Sequence, residues 1–351
     1  MRTIASILVR LGRGLLTLVA VLFIVFFAIR LTPGGPAVAM LGQKATAEDV
    51  ERLNQEMGWD RPTMEQFGRY LIGVAKGDLG VAYLSPGRPK VSSELARLFP
   101  ATLELTLGAM AIALPTGLLL GMLAAAYRGQ WLDRVVMALA STGVSIPIFF
   151  LGILLLLAFP SMPGSGRLDV RLNMRSVEQT GLYLIDSLLA GRWDLWMSSF
   201  RHLVLPAVTL STIPMAIIAR VTRSTMLESL QSDFIRAARA KGASWPRIFL
   251  RHALPVAAVP IISLLGLQLA TLLAGAVLTE TVFTWPGIGR YVTLAAMNKD
   301  YGALQGGVLL LGFVFIVLNA LVEVVCLGLD PRLRRASGAG VWSGLSRRRC
   351  G

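Results

Sequence analysis

Leu15-Leu16-Thr17-Leu18-Val19-Ala20-Val21-Leu22-Phe23-Ile24-Val25-Phe26-Phe27-Ala28-Ile29 decides what kind of molecule this is. Thr17 is its single hydroxyl, and the apolar stretch around it runs from about Leu11 to Leu31. A helix rises about 1.5 Å per residue, so about 20 apolar residues cross a hydrocarbon core of about 30 Å. Five more such stretches follow, at about 102–127, 135–159, 203–219, 256–278 and 303–327. Pro147 and Pro214 fall inside two of them, which spanning helices tolerate when neighbours re-satisfy the freed carbonyls. The expectation is an all-α membrane protein with six transmembrane helices.

Composition agrees. Of 351 residues, 54% are hydrophobic and 15% charged, against about 25% charge in a typical soluble domain. A soluble two-domain enzyme and a disordered or fibrous chain are thereby excluded. Cys326 and Cys350 cannot build a disulfide framework or a cysteine metal site. A signal peptide is the competing reading of the first stretch, because Arg2, Arg10 and Arg13 precede it and Ala37-Val38-Ala39 resembles a cleavage site. The run is too long for a removable apolar region of about 7–15 residues, and Arg30 and Pro33 separate it from that site.

The net charge of +14 looks at first like a nucleic-acid signal. With the N-terminus inside, the cytoplasmic pieces are 1–14, 128–134, 220–255 and 328–351. They hold 18 Lys and Arg against four acids, Asp133, Glu228, Asp233 and Asp330, which accounts for the whole excess. The basic residues therefore orient the chain, with both termini cytoplasmic, and meet membrane lipid; no nucleic acid is expected.

Outside, residues 32–100 form the largest extramembrane piece. Thr46 with Asp49 is a capping pattern, followed by Val50, Leu53 and Met57 at helical spacing before Gly58. Thr63 and Gln66 repeat the pattern after Pro62, with Phe67, Leu71 and Val74 on one face and Gly77 as the stop. These amphipathic helices either pack on the membrane mouth or dock an external partner. A second outer stretch runs from Glu280 to Arg290. Pro286-Gly287 beside Gly289 forces a turn, while Phe283, Trp285 and Ile288 want apolar or interfacial surroundings. Glu280, Phe283, Trp285, Pro286, Gly287 and Gly289 read as an external gate segment that caps or re-enters the mouth; an interfacial anchor is the alternative.

Between the fourth and fifth stretches, Asp233 favours a helix start and places Phe234, Ala237, Ala238 and Lys241 along one face. Alanines keep that face low, so another surface can approach closely. Gly242 ends the helix and Pro246 opens a second short one. Taken alone, this is equally a basic interfacial helix held by lipid phosphates.

Ala237-Ala238, then Gly242, then Leu254-Pro255, resembles the Glu-Ala-Ala loop of bacterial ABC-importer permeases. Arg236 stands at that pattern's Glu position and His252 at its Ile position. Both departures resemble the dipeptide/oligopeptide/nickel branch. So do Thr32-Pro33-Gly34, Gly77-Asp78-Leu79-Gly80, His202-Leu203-Val204-Leu205-Pro206, the Glu280–Gly289 segment and Asp330-Pro331-Arg332. The resemblance implies a B-type subunit with the type-1 importer permease fold, in the inner membrane. It implies an N-terminal helix over 1–31, an external segment over 32–100, the type-1 domain over 101–330 and a basic tail over 331–351. Implied partners are a homologous C-type permease, two ABC ATPases that bind the ATP and magnesium, and an extracytoplasmic substrate-binding protein. In that family the loop is the coupling helix. Arg236, Ala237, Ala238, Lys241, Gly242 and Ser244 would then make the ATPase contact, with Leu254 and Pro255 setting entry into the fifth span.

No catalytic or metal site is expected. A P-loop needs Gly-Lys followed by Ser or Thr, and the residues before the lysines are Gln43, Ala75, Pro89, Ala240 and Asn298. A metalloprotease needs His-Glu-x-x-His, but His202 and His252 precede Leu203 and Ala253. A gradient-driven transporter would carry charge along its path. Only Glu104 and Glu323 lie within spans, both near an end where rim packing suits them better. Polar groups that could line a conduit include Ser141, Thr142, Ser145, Ser211 and Thr212, with Ser263, Gln268 and Thr271 as the main pathway candidates. Such groups also serve helix packing. Gln268 leads, because an amide buried in mid-span needs a partner or a cavity.

Overall fold

The computed structural model describes residues 2–31, 35–41, 45–83, 85, 87–174 and 176–329. The Thr32-Pro33-Gly34 and Asp330-Pro331-Arg332 motifs and the expected tail lie outside them, as does the Glu323 side chain. Helix α1 covers Arg2–Arg30, followed by α2 (Pro36–Leu41), α3 (Ala47–Met57), α4 (Thr63–Ala75) and α5 (Val91–Ala126). Then come α6 (Trp131–Ser145), α7 (Ile148–Ala158), α8 (Tyr183–Leu189), α9 (Trp193–Leu230) and α10 (Asp233–Ala240). Last are α11 (Trp245–Arg247), a π-helical turn (Ile248–Ala253), α12 (Leu254–Gly275), α13 (Val277–Val282), α14 (Ile288–Asn298) and α15 (Tyr301–Leu329). Among the described residues no strand forms beyond an isolated bridge between Val81 and Lys90.

Among the described residues five helical stretches are long and apolar enough to cross a membrane, and the bent pair α6–α7 makes a sixth when taken as one span. That pair corrects the third expected span, which does not run straight. It bends by 104° at Ile146-Pro147. Ile146 has left the helix at φ −80°, ψ 123°, because the proline ring clashes with a helical residue before it. Pro214 has no such effect and lies inside continuous, buried helix. There α9 packs along α5.

Helices α5 and α9 form the central pair. With 36 and 38 residues they extend about 54 and 57 Å, well beyond the hydrocarbon thickness. Both start a full turn or more before the expected spans. Their backbones nearly touch: a Cβ on Gly117 would lie 2.7 Å from the Met215 carbonyl oxygen, and one on Gly121 2.6 Å from Thr222 Cβ. Small residues permit this approach where lipid offers no hydrophobic drive to associate. Helix α12 packs on α9 and α15, and α1 packs on α15. Leu18, Leu22 and Phe26 of α1 bury against Phe67 of α4, so the amphipathic helix expected there packs on the bundle.

The Thr46–Asp49 capping box forms, and Gly58 closes α3 at φ 67°. The second capping expectation is corrected. Pro62 is the boundary residue, Thr63 is already helical and no side-chain cap bond forms. Gln66 instead donates to the Trp59 and Arg61 carbonyls and accepts from Arg30 Nε. Proline has fixed the entry geometry that Thr63 would otherwise provide.

Candidate functional site

Two platforms occupy opposite ends of the α5–α9 pair. At one end, α9 runs into α10, which begins at Asp233 with Ser232 as the extended boundary residue. Ile235 is fully buried, and with Ile248, Phe249 and Ala253 it packs on Met226 of α9 and Ala125 of α5. Trp245 stacks on Phe249 at 4.6 Å. Gly242 turns the chain at φ 78°, a left-handed conformation that suits glycine. On this base Arg236, Ala237, Lys241, Gly242 and Ser244 are exposed, and Ala238 is half-buried. Arg236 pairs with Asp233 in the open, at 3.2 Å. Leu254 is half-buried and Pro255 exposed at the start of α12, after the π-helical turn.

The sequence reading missed what braces this end. Arg223 of α9 donates to the Asp133 carboxylate of α6 from Nε and Nη2, the latter at 2.8 Å, while Gly129 N donates to the same group. Asp133 is buried, so a two-pronged guanidinium contact satisfies it.

At the other end, the Glu280 segment is interior. Glu280 is fully buried, and Phe283 and Trp285 are each 1% exposed, so the two rings do not sit in a lipid interface. Trp285 Nε1 donates to the Ala101 carbonyl at 2.8 Å. Gly287, buried, precedes α14 and offers no capping side chain. The orphan amides of that helix find partners elsewhere: Ile288 N donates to Thr102 Oγ1 and Arg290 N to Glu280, each at 2.8 Å. Burial pushes the Glu280 carboxyl above its ordinary range, against the pull of the Arg290 amide and the Thr102 hydroxyl. A Cβ on Gly287 would overlap the Glu280 carboxylate, and one on Gly289 would lie 2.7 Å from Val277 Cα. Pro286 is half-buried between them.

A second buried acid repeats the arrangement. Glu104 of α5 accepts from Leu184 N in the first turn of α8 at 2.8 Å and pairs with Arg167, both side chains under 10% exposed. Arg167 also donates to the Gly181 carbonyl and lies 3.7 Å over the Tyr183 ring. Glu104 therefore binds other protein groups at the rim. Thr102, Arg167 and Arg290 were not among the sequence candidates. For Arg167 the available signal was Glu104, an acid in a span, which demands a partner without naming it.

The pathway candidates separate. Ser263 and Thr271 share an exposed face of α12, their hydroxyls bonded to the Val259 and Leu267 carbonyls four residues back. Gln268, three residues before Thr271, is buried. Ser141, Thr142 and Ser145 of α6 are exposed as well, whereas Ser211 of α9 is buried.

The description "Binding-protein-dependent transport system inner membrane component" matches residues 117–335, and that of the N-terminal part of such components matches 3–106. The chain belongs to this permease family. "Probable D,D-dipeptide transport system permease protein DdpB" of Escherichia coli K12 is 42% identical over 96% of this chain and 99% of its own length. "Di/tripeptide transport system permease protein DppB" of Pseudomonas aeruginosa is 42% identical over 93% of this chain and 97% of its own. "Glutathione transport system permease protein GsiC" of Salmonella paratyphi A is 36% identical over 91% and 95%. The resemblance carried by the Ala237–Pro255 loop is thus correct, and the chain is a multi-pass inner-membrane permease. Both platforms of this permease, α10–α11 and Glu280–Arg290, lie within the longer match.

Proposed function

We propose that this permease forms half of the translocation pathway of an ABC importer for di- and oligopeptides. It pairs with a homologous C-type permease, takes two ATPases on the cytoplasmic face with α10–α11 as its own contact, and receives peptide from an external binding protein at the Glu280 end. Both termini then face the cytoplasm, as the basic excess of the loops favours. The names of the relatives support the substrate class, and similarity to a glutathione permease keeps that tripeptide within the same chemistry.

The observation that carries the mechanism is the built base under an exposed, low helix. Ala237 and Lys241 are open to a partner, while Ile235, Ile248 and Phe249 tie the same unit to α5, α9 and α12. ATP closing the ATPases would move such a unit as a rigid element and pass the motion to the spans. Arg236, Ala238, Gly242 and Ser244 complete the contact, and Leu254 and Pro255 set the entry into α12. The exposed hydroxyls of Ser263 and Thr271 offer a weakly selective wall, and Gln268 is buried on the same helix. The Glu280–Gly289 segment closes the outer side. Hydrolysis, ATP and magnesium belong to the ATPases. In vesicles holding the whole transporter, deletion of residues 236–244 should abolish ATP-driven uptake of a labelled dipeptide. Uptake that survives the deletion overturns the coupling role.

A further inference from the structure

Helix α15 packs on both α1 and α5, and an open groove of about 440 Å³ is left between those two helices. That is within the usual size of a small-molecule site. Leu18 of α1, Leu95 and Phe99 of α5 and Phe313 of α15 line it, and α4 adds Val74. Among the described residues every lining side chain is apolar except that of Ser92. Phe313 is 55% exposed and Ala96 is open as well, so the groove faces away from the bundle. Helices α1, α5 and α15 are each apolar enough to cross a membrane, so hydrocarbon is the medium that meets these walls.

Positive charge gathers at one end of the groove. Lys76 follows the lining residue Val74 by two positions, and Lys90 precedes the lining residue Ser92 by two. Backbone bonds tie the two stretches together: Asp78 N donates to the Gly73 carbonyl at 2.9 Å and Val91 N to the Gly80 carbonyl at 3.0 Å. Both lysines are exposed, and among the described residues neither forms an ion pair. The acids adjacent in sequence are engaged: Asp78 accepts from Gly80 N at 2.9 Å, and Glu94 pairs with Arg97 at 2.7 Å. An apolar groove with two unpaired cations at one end suits an amphiphile with an anionic head. A peptide would leave its backbone amides unanswered along these walls, whereas an acyl chain has none.

We propose that this groove holds one acyl chain of an anionic phospholipid, whose head group meets Lys76 and Lys90. The chain fills the space between α1 and α5, and the lipid thereby becomes part of how α1 is held to the bundle. The site is separate from the α10–α11 platform and the Glu280 segment, and it assumes nothing about the transported substrate.

The test titrates the purified full-length chain in detergent with dioleoylphosphatidylglycerol and counts retained lipids by native mass spectrometry. One adduct should saturate before the rest, at about tenfold lower concentration than with dioleoylphosphatidylcholine, because two lysines near a head group favour the anionic lipid. Ala96→Phe puts a ring into the groove and should remove that adduct. Leu139→Phe, on an exposed apolar face of α6, should leave it. Lys76→Gln combined with Lys90→Gln changes only exposed side chains and should abolish the preference for phosphatidylglycerol, so the test stands even where Ala96→Phe fails to fold. Equal retention of the two lipids, an adduct kept by a folded Ala96→Phe, equal loss in Leu139→Phe, or a preference indifferent to the lysine changes would each overturn the proposal. The assembled transporter should retain the same lipid. Its absence there would mean that a partner permease fills the groove, and would overturn the proposal too.

Discussion

Thr102 Oγ1 donates to the Glu280 carboxylate at 2.7 Å and accepts from Ile288 N at 2.8 Å. One hydroxyl thus joins α5, α13 and the first turn of α14, three elements that sequence alone does not bring together. With the Trp285–Ala101 bond beside it, this contact fixes the Glu280–Arg290 segment against α5.

Thr102→Val should therefore destabilise the protein by about 1–3 kcal/mol, because it orphans a buried amide and takes one donor from a buried carboxylate. The thermal midpoint in detergent should fall. Thr102→Ser, which keeps the hydroxyl, should recover most of the loss.

Two acids outside the spans should give opposite pH dependences. The Glu280 carboxyl is raised, chiefly by burial, above its ordinary 4.5. Its contribution is fully present below that value and is lost as pH rises through the folded-state pKa. Burial also acts to raise Asp186, but bonds from the Thr180 hydroxyl and amide and from the Gln179 and Gly181 amides prevail and hold it below 3.8. Its contribution is present above 3.8 and lost as pH falls further. In midpoint-against-pH curves, Glu280→Gln should flatten the limb above 4.5 and Asp186→Asn the limb below 3.8.

The α5–α9 contact makes Gly121 more sensitive than its place on an apolar helix suggests. A Cβ there would lie 2.6 Å from Thr222 Cβ and 2.5 Å from the Ala219 carbonyl oxygen, so the helices would have to part. Gly121→Ala should cost about 1–3 kcal/mol as overpacking. Gly129→Ala, with open space at its Cβ, meets no neighbour and tests backbone strain alone. A smaller effect of Gly121→Ala than of Gly129→Ala would contradict the close approach.

Asp133→Ala should leave the Arg223 guanidinium without its partner. Breaking a fully buried pair costs about 3–5 kcal/mol. Arg223 is 28% exposed, so the loss should sit at about 3 kcal/mol or below, since water screens what remains. A double-mutant cycle with Arg223→Ala should show the two losses to be strongly non-additive.

Gly242→Ala places a side chain at φ 78°, a strain of about 1–2 kcal/mol. If α10–α11 couples to an ATPase, ATP-driven uptake in vesicles should fall further than assembly of the transporter does. Loss of both in equal proportion would assign Gly242 to folding alone.

Local features were legible in the sequence because their causes are local. The length of the Leu15–Ile29 run sets a span, Thr46 reaches Asp49 across one helical turn, and Gly242 turns the chain because it tolerates φ 78°. The Ala237–Pro255 pattern, taken together with Gly77–Gly80, His202–Pro206 and the Glu280–Gly289 segment, placed the chain in its family. Tertiary structure alone decided that the third span breaks at Pro147 while Pro214 leaves α9 whole. It likewise decided that Gln268 is buried while Ser263 and Thr271 stay exposed, and that Glu104 meets Arg167 across 63 residues and Thr102 meets Glu280 across 178. A buried acid announces that it needs a partner. Which one it finds depends on how helix faces meet, and no spacing along the chain encodes that.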